Sequence, residues 1–420
     1  MALKTQKNVA IIGLGYVGLP LMLLLCKKNN VYGFDQDQKK IDMLVNKKSY
    51  ISDVSNFDLV KIDRSKLFTM NDAKFIKKCD YIIFCLPTPW SAKKPDMTYI
   101  VNAFKKIFKY LKKKQTIILE SSVYTGATKH IFYKKLSKKF NIGKNFYLCY
   151  SPERIDPGKN KKYKKLSYER IDKLISGFTN NCLNKIYELY SKSFTSLHKC
   201  ESIEIAETSK LFENIFRSVN IGLVNEMKVI CNKLGFNIHD VISAAKTKPF
   251  GFRPFAPGPG VGGHCIPIDP LFMSWVAKKN NVQANFINLS NKTNLYISNW
   301  VSDKIVNIIK NKKIKKILLL GMAYKKDVND SRESPSIKIF NKLNKLKLTK
   351  LDYQDKFISS VKLNNVSKKT VLNVSYKKYD CIVLLTDHSY YNYNKIYKDS
   401  KLIIDTRGVF RLKKNKVIHL

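Results

Sequence analysis

The sequence lacks any run of 18 consecutive apolar residues, so it offers no candidate for a membrane-spanning helix. The first residues, Met-Ala-Leu-Lys-Thr-Gln-Lys, lead into an apolar run that Gly-x-Gly interrupts. This pattern is typical neither of a secretory signal peptide nor of a spanning helix. We therefore expect no membrane partner.

Paired cysteines are also lacking. The nine cysteines are odd in number, and no two have C-x-x-C or zinc-knuckle spacing. Several lie in apolar runs, where buried free thiols are common. These features favour a reducing compartment, so we expect a cytoplasmic protein and no metal site.

Acidic residues are scarce, since 32 Asp and Glu face 77 Lys and Arg and leave a formal net charge of +45. Taken alone, this excess suggests a nucleic-acid-binding protein, which would show steeply salt-dependent binding. However, the lysines are interleaved with asparagine and isoleucine along the whole chain. We therefore favour a diffuse solvated surface and expect no nucleic-acid partner, although the field would attract an anionic small substrate.

A chain of 420 residues with 44% hydrophobic residues is too long for one ordinary core, so we expect two or three domains. The first begins with a buried-type strand over residues 9–12, the turn Gly-Leu-Gly-Tyr-Val-Gly at 13–18, and an apolar helix over 19–26. A second strand over 31–34 ends on Asp35. This strand–turn–helix–strand context is what a dinucleotide-binding G-x-G-x-x-G fingerprint requires. The alternative is a glycine turn in an unrelated α/β unit.

Each glycine of this fingerprint has a separate expected task. Gly13 makes the tight turn, Gly15 lets the backbone reach a pyrophosphate, and Gly18 lets the helix pack on the sheet. Asp35 would bind the ribose hydroxyls, which favours NAD over NADP. The residues that we expect to hold NAD are Gly13, Gly15, Tyr16, Val17, Gly18, Asp35, Lys40, Thr88 and Ser122.

Polar residues follow three further predicted strands, over 81–86, 116–119 and 146–150. They include Thr88, Ser122 and Glu153. Ligands bind beyond the carboxyl ends of strands in an open α/β sheet, so we expect these side chains to line a site. Ordinary turn chemistry is the alternative for each residue alone.

A glycine- and proline-rich loop over 257–263 leads to Cys265 and then to Asp269-Pro270, which we interpret as an N-cap and the first position of a helix. Cys265 would then lie just before a helix N-terminus, where unpaired N–H groups favour a reactive thiolate. The alternatives are a small buried hydrophobic cysteine and an aspartate that only caps the helix.

One long helix is predicted from residue 201 to about 234, with Glu207, Lys210 and Asn214 on one face. That face could equally be an ordinary solvated surface. The helix length suggests a connection between domains and a dimer contact. From about residue 312 a second strand–helix domain follows, with strands at 316–320, 381–386 and 401–405. Lys325 and Arg332 in this domain could bind the phosphates of a second nucleotide.

Together these segments resemble the UDP-glucose/GDP-mannose dehydrogenase family along nearly the whole chain. The matching motifs, in family order, are Gly-Leu-Gly-Tyr-Val-Gly-Leu, Pro-Thr-Pro, Ser-Pro-Glu-Arg, Lys210 with Asn214, Gly-Gly-His-Cys-Ile-Pro-Ile-Asp-Pro, and Gly-Met-Ala-Tyr-Lys with Arg-Glu-Ser-Pro. The resemblance implies an α/β fold with two Rossmann-like parallel-sheet domains joined by a central helical domain. It implies an NAD-binding domain over 1–198, a helical dimerisation domain over 199–309 and a UDP-sugar-binding domain over 310–420.

The resemblance also implies the chemistry: oxidation of a sugar C6 alcohol to a carboxylate through a Cys265 thiohemiacetal and thioester, with two NAD consumed. Lys210 and Asn214 would stabilise the oxyanion, Asp269 would help activate water, and Glu153 would act as general acid/base. Ser122 stands where the family often has threonine. The implied substrate-binding residues are Glu153, Arg154, Lys210, Asn214, Arg253, Gly262, Lys325 and Arg332.

Two departures from the UDP-glucose enzymes narrow the substrate. Pro157 stands where those enzymes have a second glutamate, and Ile268 stands where they have lysine. The motifs look like the branch that oxidises UDP-N-acetylhexosamines, particularly UDP-N-acetylglucosamine, for surface polysaccharide synthesis. UDP-N-acetylgalactosamine, UDP-N-acetylmannosamine and UDP-glucose are the alternatives, and a homodimer is expected. An inactive sugar-nucleotide-binding regulator is a further alternative, against which the intact set of Cys265, Lys210, Asn214 and Asp269 argues.

Overall fold

The computed structural model describes residues 6–51, 53–155, 168–347, 349–363, 366–413 and 415–420. The chain forms two compact units, the first made of Met1–Glu213 with Trp275–Val282 and the second of Asn214–Ser274 with Gln283–Leu420. The three predicted domains, with boundaries at 198 and 309, stay a prediction. Pro157 and the lysine-rich segment 159–165 lie outside the described residues.

The described part of the first unit is built on one large sheet. Its strands are β1 (Asn8–Ile12), β2 (Asn30–Asp35), β3 (Leu67–Thr69), β4 (Tyr81–Phe84), β7 (Thr116–Leu119), β8 (Tyr147–Tyr150), β9 (Lys173–Gly177) and β10 (Leu197–Lys199), with a separate hairpin of β5 (Trp90–Ser91) and β6 (Lys94–Pro95). The eight strands lie in the order β10-β9-β8-β7-β4-β1-β2-β3. Neighbouring strands run parallel, except that β9 is antiparallel to β8.

Helices cover this sheet because its central strands are apolar on both faces, as parallel strands are. Every residue of β4 and β7 is buried. The helices are α1 (Gly18–Leu25), α2 (Gln38–Val45), α3 (Thr98–Phe108), α4 (Lys134–Leu136), which continues a π-helical turn over Lys129–Tyr133, and α5 (Asn180–Tyr190).

The predicted long helix is α6 (Ile203–Leu234), an uninterrupted 32-residue element. It is followed by α7 (Ile238–Ala245), α8 (Asp269–Lys279) and α9 (Asn285–Asn311). The sequence of α6 has no internal proline, so nothing removes a hydrogen bond from its ladder.

The second unit contains a parallel sheet. The elements of this region are β11 (Lys316–Leu320), α10 (Pro335–Lys345), β12 (Lys350–Gln354), β15 (Cys381–Leu384), α11 (Tyr393–Asp399), β16 (Ile403–Asp405) and β17 (Val417–His419), with a hairpin of β13 (Ser360–Leu363) and β14 (Val366–Lys369). The described strands of the sheet run in the order β12-β11-β15-β16-β17. The α/β fold with parallel sheets and a central helical region is thus confirmed. No helix in the described residues is long and apolar enough to cross a membrane.

Candidate functional site

The glycine turn after β1 has the geometry that the fingerprint predicts. Gly13 has φ +95°, and a Cβ there would lie 2.5 Å from the carbonyl oxygen of Cys85. A Cβ on Gly18 would lie 1.9 Å from the carbonyl oxygen of Gly13, whereas a Cβ on Gly15 would meet no atom within 4 Å. Packing therefore requires the first and third glycines, while the second leaves open space beside the N-terminus of α1, which suits a pyrophosphate.

Asp35, the last residue of β2, fixes this turn. Its Oδ2 accepts a hydrogen bond of 2.9 Å from the Leu14 N–H, and the side chain is only 5% exposed. The Lys40 ammonium lies 3.4 Å from the same oxygen. Tyr16 and Val17, between the second and third glycines, are half-buried. These predicted residues therefore lie together around one turn.

Thr88 and Ser122 also come together as predicted, at the ends of β4 and β7. The Thr88 hydroxyl donates to the carbonyl oxygen of Ser122 at 2.6 Å. The Ser121 hydroxyl accepts from the Leu86 N–H at 2.9 Å and donates to the Leu86 carbonyl at 2.7 Å. The Leu86 backbone is therefore bonded to a side chain rather than to a neighbouring strand, and β4 ends at Phe84, two residues before its predicted end.

Glu153 and Arg154 follow β8. Glu153 Oε1 accepts from the N–H groups of Arg154 and Ile155, both at 2.7 Å. The Arg154 guanidinium pairs with Glu213 at 2.7 Å and donates to the Asp172 carbonyl at 2.7 Å. Arg154, which the sequence predicts to bind substrate, is therefore fixed within the first unit by Glu213 on α6 and by the Asp172 backbone.

A buried charged cluster beside Glu153 was missed by sequence reasoning. Lys173 Nζ lies 2.5 Å from Glu120 Oε2 and 3.2 Å from Glu153 Oε2, and the Tyr190 hydroxyl donates to Glu120 Oε1. Burial raises the pKa of the Glu120 carboxyl to about 7, and the lysine beside it opposes that rise. No local pattern marked Lys173, since the chain has 77 basic residues and this lysine begins a strand.

The face of α6 that carries Glu207, Lys210 and Asn214 is buried, so the interpretation as a solvated face is wrong. These residues are 0%, 8% and 5% exposed. Glu207 accepts from the N–H groups of Gly126 and Thr128 and from the Thr128 hydroxyl. Its carboxylate therefore satisfies the backbone where the segment after β7 turns into a helix.

Cys265 is the exposed member of the nine cysteines, since Cys26 is half-buried and the other seven are buried. The interpretation as a small buried cysteine is therefore wrong. The Cys265 carbonyl accepts from the N–H groups of Ile268 at 3.1 Å and Asp269 at 2.8 Å, so a helical turn already begins at the cysteine. Asp269 is the first residue of α8 rather than its cap.

Asn214 and Asp269 form a buried pair within the second unit. Asn214 Nδ2 donates to Asp269 Oδ2 at 2.6 Å, and Asp269 is 2% exposed. The backbone bond from Asp269 to Cys265 joins the cysteine to this pair. Lys210 lies one turn before Asn214 on α6. The structure thus brings together Cys265, Asn214 and Asp269, which the sequence assigned to one site.

The glycines before Cys265 are required by the loop after β11. A Cβ on Gly262 would lie 2.8 Å from the Glu333 carbonyl oxygen, and one on Gly263, which has φ +86°, would lie 2.8 Å from the Tyr324 ring. The Gly263 N–H donates to the carbonyl oxygen of Arg332 at 3.0 Å. The cysteine loop therefore packs tightly against the segment that carries Lys325 and Arg332.

The start of the same loop is held by α6. The Gly258 N–H donates to Asn225 Oδ1 at 3.1 Å, and Lys228 Nζ donates to the carbonyl oxygens of Gly258 at 3.3 Å and Thr406 at 3.4 Å. Burial, followed by the nearby Arg407 charge, lowers the pKa of Lys228 to about 7. Sequence reasoning missed both side chains, because no motif marks them.

The remaining predicted substrate-binding residues differ in setting. Lys325 is half-buried and Arg332 is exposed, with its guanidinium paired to Asp330 at 2.6 Å. Arg253 is exposed, and its guanidinium carbon lies 5.9 Å from the centre of the Phe216 ring. Both arginines therefore already have partners within the chain.

Three family models match the chain. The UDP-glucose/GDP-mannose dehydrogenase family's NAD binding domain matches residues 7–194, its central domain matches 204–296, and its UDP binding domain matches 318–412.

Individual relatives cover almost the whole chain. The UDP-N-acetyl-D-glucosamine 6-dehydrogenase of Pseudomonas aeruginosa is 34% identical over 95% of this chain and 96% of its own length. The UDP-N-acetyl-D-mannosamine dehydrogenase of Methanococcus vannielii is 32% identical over 96% of this chain and 93% of its own. The solved structure of a UDP-D-ManNAc dehydrogenase from Pyrococcus horikoshii is 25% identical, covers 98% of both chains and gives a TM-score of 0.86.

Proposed function

This chain belongs to the UDP-glucose/GDP-mannose dehydrogenase family, and we propose that it oxidises the C6 alcohol of a UDP-N-acetylhexosamine to the carboxylate. It is an NAD-dependent oxidoreductase, as the family and its relatives are. The observation that carries the proposal is the exposed Cys265 thiol, one helical turn before a buried Asp269–Asn214 pair.

Cys265 acts as the nucleophile. Its thiolate adds to the C6 aldehyde that the first oxidation produces, and oxidation of the resulting thiohemiacetal gives a thioester. Water then adds to the acyl carbon, the carboxylate is released and the thiol is restored. A covalent intermediate needs an accessible sulfur, which the exposure of Cys265 provides.

Asn214 and Lys210 stabilise the negative charge that develops on the C6 oxygen, because an amide N–H and an ammonium are both donors. The hydrogen bond from Asn214 fixes the Asp269 carboxylate, which helps to activate the hydrolytic water. Glu153 acts as general acid/base, and the Ser122 hydroxyl takes the catalytic position where the family often has threonine. Arg154, Arg253, Gly262, Lys325 and Arg332 take part in binding the sugar nucleotide.

NAD, when bound, supplies the hydride acceptor for both oxidations. The glycine turn fits this cofactor, since Gly15 leaves open space and Gly13 and Gly18 are forced by packing. Tyr16 and Val17 continue the turn into α1, and Asp35 takes the ribose hydroxyls with Lys40 beside it. Thr88 and Ser122 extend the same edge of the sheet.

UDP-N-acetylglucosamine is our first choice of substrate. The similarity to the Pseudomonas aeruginosa enzyme supports it, and Ile268 in place of lysine counts against UDP-glucose. UDP-N-acetylmannosamine is the second choice, supported by the Methanococcus vannielii and Pyrococcus horikoshii relatives. The test compares kcat/KM for four substrates: UDP-N-acetylglucosamine, UDP-N-acetylmannosamine, UDP-N-acetylgalactosamine and UDP-glucose. A clear preference for a sugar other than N-acetylglucosamine overturns the first choice. The product would serve surface polysaccharide synthesis.

The activity is tested by counting NADH formed per UDP-N-acetylglucosamine consumed. We expect about two NADH per sugar, because the alcohol loses two electron pairs on the way to the carboxylate. The Cys265→Ala variant should form no carboxylate product, whereas Cys26→Ala, which changes a half-buried thiol, should still form it. One NADH per sugar, or an unaffected Cys265→Ala variant, contradicts the covalent mechanism.

We also propose that the protein is a cytoplasmic homodimer. All nine cysteines are free, which supports a reducing compartment. Exposed apolar side chains recur on α6 at the spacing of a helix–helix seam: Phe216, Leu223, Met227, Ile230 and Leu234. We expect Leu223→Glu to give monomers in light scattering, whereas Leu412→Glu, at an 83% exposed leucine, leaves the dimer intact. A monomeric wild type would contradict this.

A further inference from the structure

The buried cluster of Glu120, Lys173 and Glu153 arises from a change of strand direction in the first sheet. Glu120 follows β7 directly, and Glu153 follows β8 by three residues. Strand β9 runs antiparallel to β8, so its first residue, Lys173, lies at the edge where β7 and β8 end. A parallel β9 would have put that lysine at the opposite edge of the sheet.

Every donor of the lysine ammonium is used inside this cluster. Lys173 Nζ contacts Glu120 at 2.5 Å, Glu153 at 3.2 Å and the Pro152 carbonyl oxygen at 3.1 Å, and the lysine is only 3% exposed. An ammonium has three N–H donors, so its position is fully determined. Glu153 is fixed in turn, because its other oxygen accepts two backbone N–H groups.

We propose that Lys173 and Glu120 are positioning residues that set the protonation state of the Glu153 carboxyl for hydrolysis of the thioester. This inference rests on the proposed function of Glu153. Three donors favour the ionised carboxylate, which can then accept a proton from water as the water oxygen adds to the acyl carbon and the Cys265 thiolate leaves. Once Glu153 is neutral, Lys173 remains paired with Glu120, so the buried positive charge stays compensated.

One lysine shared by two carboxylates makes their titrations interdependent. Burial raises the pKa of Glu120 to about 7, so its charge changes in the range where the enzyme would work. The titratable and charged groups around Glu153 come from several elements: Glu120 after β7, Cys85 after β4, Lys173 on β9, Tyr190 on α5, and Arg154 with its partner Glu213 on α6. Among these, Lys173 and Glu120 have opposite charges, so removing one or the other should shift the ionisation of Glu153 in opposite directions.

The test is the pH dependence of kcat for Lys173→Met and Glu120→Gln in the full-length enzyme. Removing a cation 3.2 Å from Glu153 should move the acidic limb of the profile upward by about one to three pH units. Removing the competing carboxylate should move that limb downward. The kcat/KM values and the NADH burst that precedes hydrolysis should stay unchanged, because the inference concerns the hydrolysis step, which follows both oxidations. Lys185→Met, which breaks a half-exposed ion pair on α5, is the matched control and should shift nothing.

Shifts in opposite directions support the inference, because a purely structural role would not give them. If Lys173→Met fails to fold, Glu120→Gln decides alone, since glutamine keeps the shape and a partner for the lysine. Unshifted limbs in folded variants overturn the inference while leaving the oxidation itself intact. A Glu153→Gln enzyme with wild-type kcat and pH profile, or a wild type that forms no NADH from any UDP-sugar, overturns the proposed function and this inference together.

Discussion

Alanine at Gly18 should lower stability, whereas alanine at Gly15 should weaken cofactor binding without lowering stability. At Gly18 the new Cβ would lie 1.9 Å from the Gly13 carbonyl oxygen, against 3.4 Å for ordinary contact, an overlap of about 1.5 Å with a backbone atom. The turn after β1 and the start of α1 must then separate. We expect a loss of about 3 kcal/mol, the upper end of overpacking effects, and a fall of Tm by about 6–12 °C.

At Gly15 a Cβ meets no protein atom within 4 Å, and the residue does not have a positive φ. Alanine there should therefore keep or raise stability, by about 0.4–1 kcal/mol, through a less flexible unfolded chain. The methyl group takes the space left for the pyrophosphate, so the Kd for NAD should rise at least tenfold, which is about 1.4 kcal/mol.

Thermal unfolding without cofactor, followed by NAD titration in a calorimeter, separates the two effects. Gly18→Ala should have a lower Tm than wild type, and Gly15→Ala should have a Tm at least as high as wild type but bind NAD weakly. A Gly18→Ala protein as stable as wild type, or a Gly15→Ala protein that binds NAD normally, would contradict this prediction.

Three further predictions concern buried or strained positions. Burial lowers the pKa of Lys228 from 10.5 to about 7, so between these values the unfolded chain binds one more proton than the folded chain. The stability of the wild type should therefore rise with pH across that window, by about 4 kcal/mol relative to Lys228→Met. An identical pH dependence of urea unfolding in the two proteins would contradict this. The new methyl group of Gly263→Ala meets a tyrosine ring, so kcat should fall at least tenfold in the NADH assay. Gly235 has a similar φ but open space around it, so Gly235→Ala should change kcat less than twofold. An equal loss of kcat in the two variants would contradict the role of packing at Gly263. Glu207→Ala leaves two backbone N–H groups unsatisfied and should lower the free energy of unfolding by about 2–5 kcal/mol, measured by thermal unfolding. The control Glu204→Ala, at a half-buried ion pair, should lower it by less than about 1 kcal/mol. Similar values for the two variants would show that Glu207 is not a cap.

The cofactor turn could be predicted because its signals are local. Gly13 is required by its positive φ and Gly18 by its contact with the Gly13 carbonyl oxygen, and Asp35 ends the next strand along the chain. The apolar strands β1, β7 and β11 were also predicted nearly to the residue, since a buried parallel strand needs only a short apolar run.

The burial of polar side chains could not be predicted in the same way. The sequence left Glu207, Lys210 and Asn214 with two interpretations, because spacing shows that they share a face but not what covers it. It also left Cys265 as either a core residue or a nucleophile. Exposure of the thiol and burial of the α6 face are properties of packing, and they favour the chemical interpretation of both.

The family, the cofactor fingerprint and the main apolar strands follow from the sequence alone, because glycine turns, apolar runs and helix starts depend on neighbouring residues. Which charged groups meet depends on the tertiary packing. Lys173 and Glu120 are 53 residues apart, and Asn214 and Asp269 are 55 apart. Such contacts depend on the direction of a strand or on the packing of a helix, and neither can be read from the residues that take part.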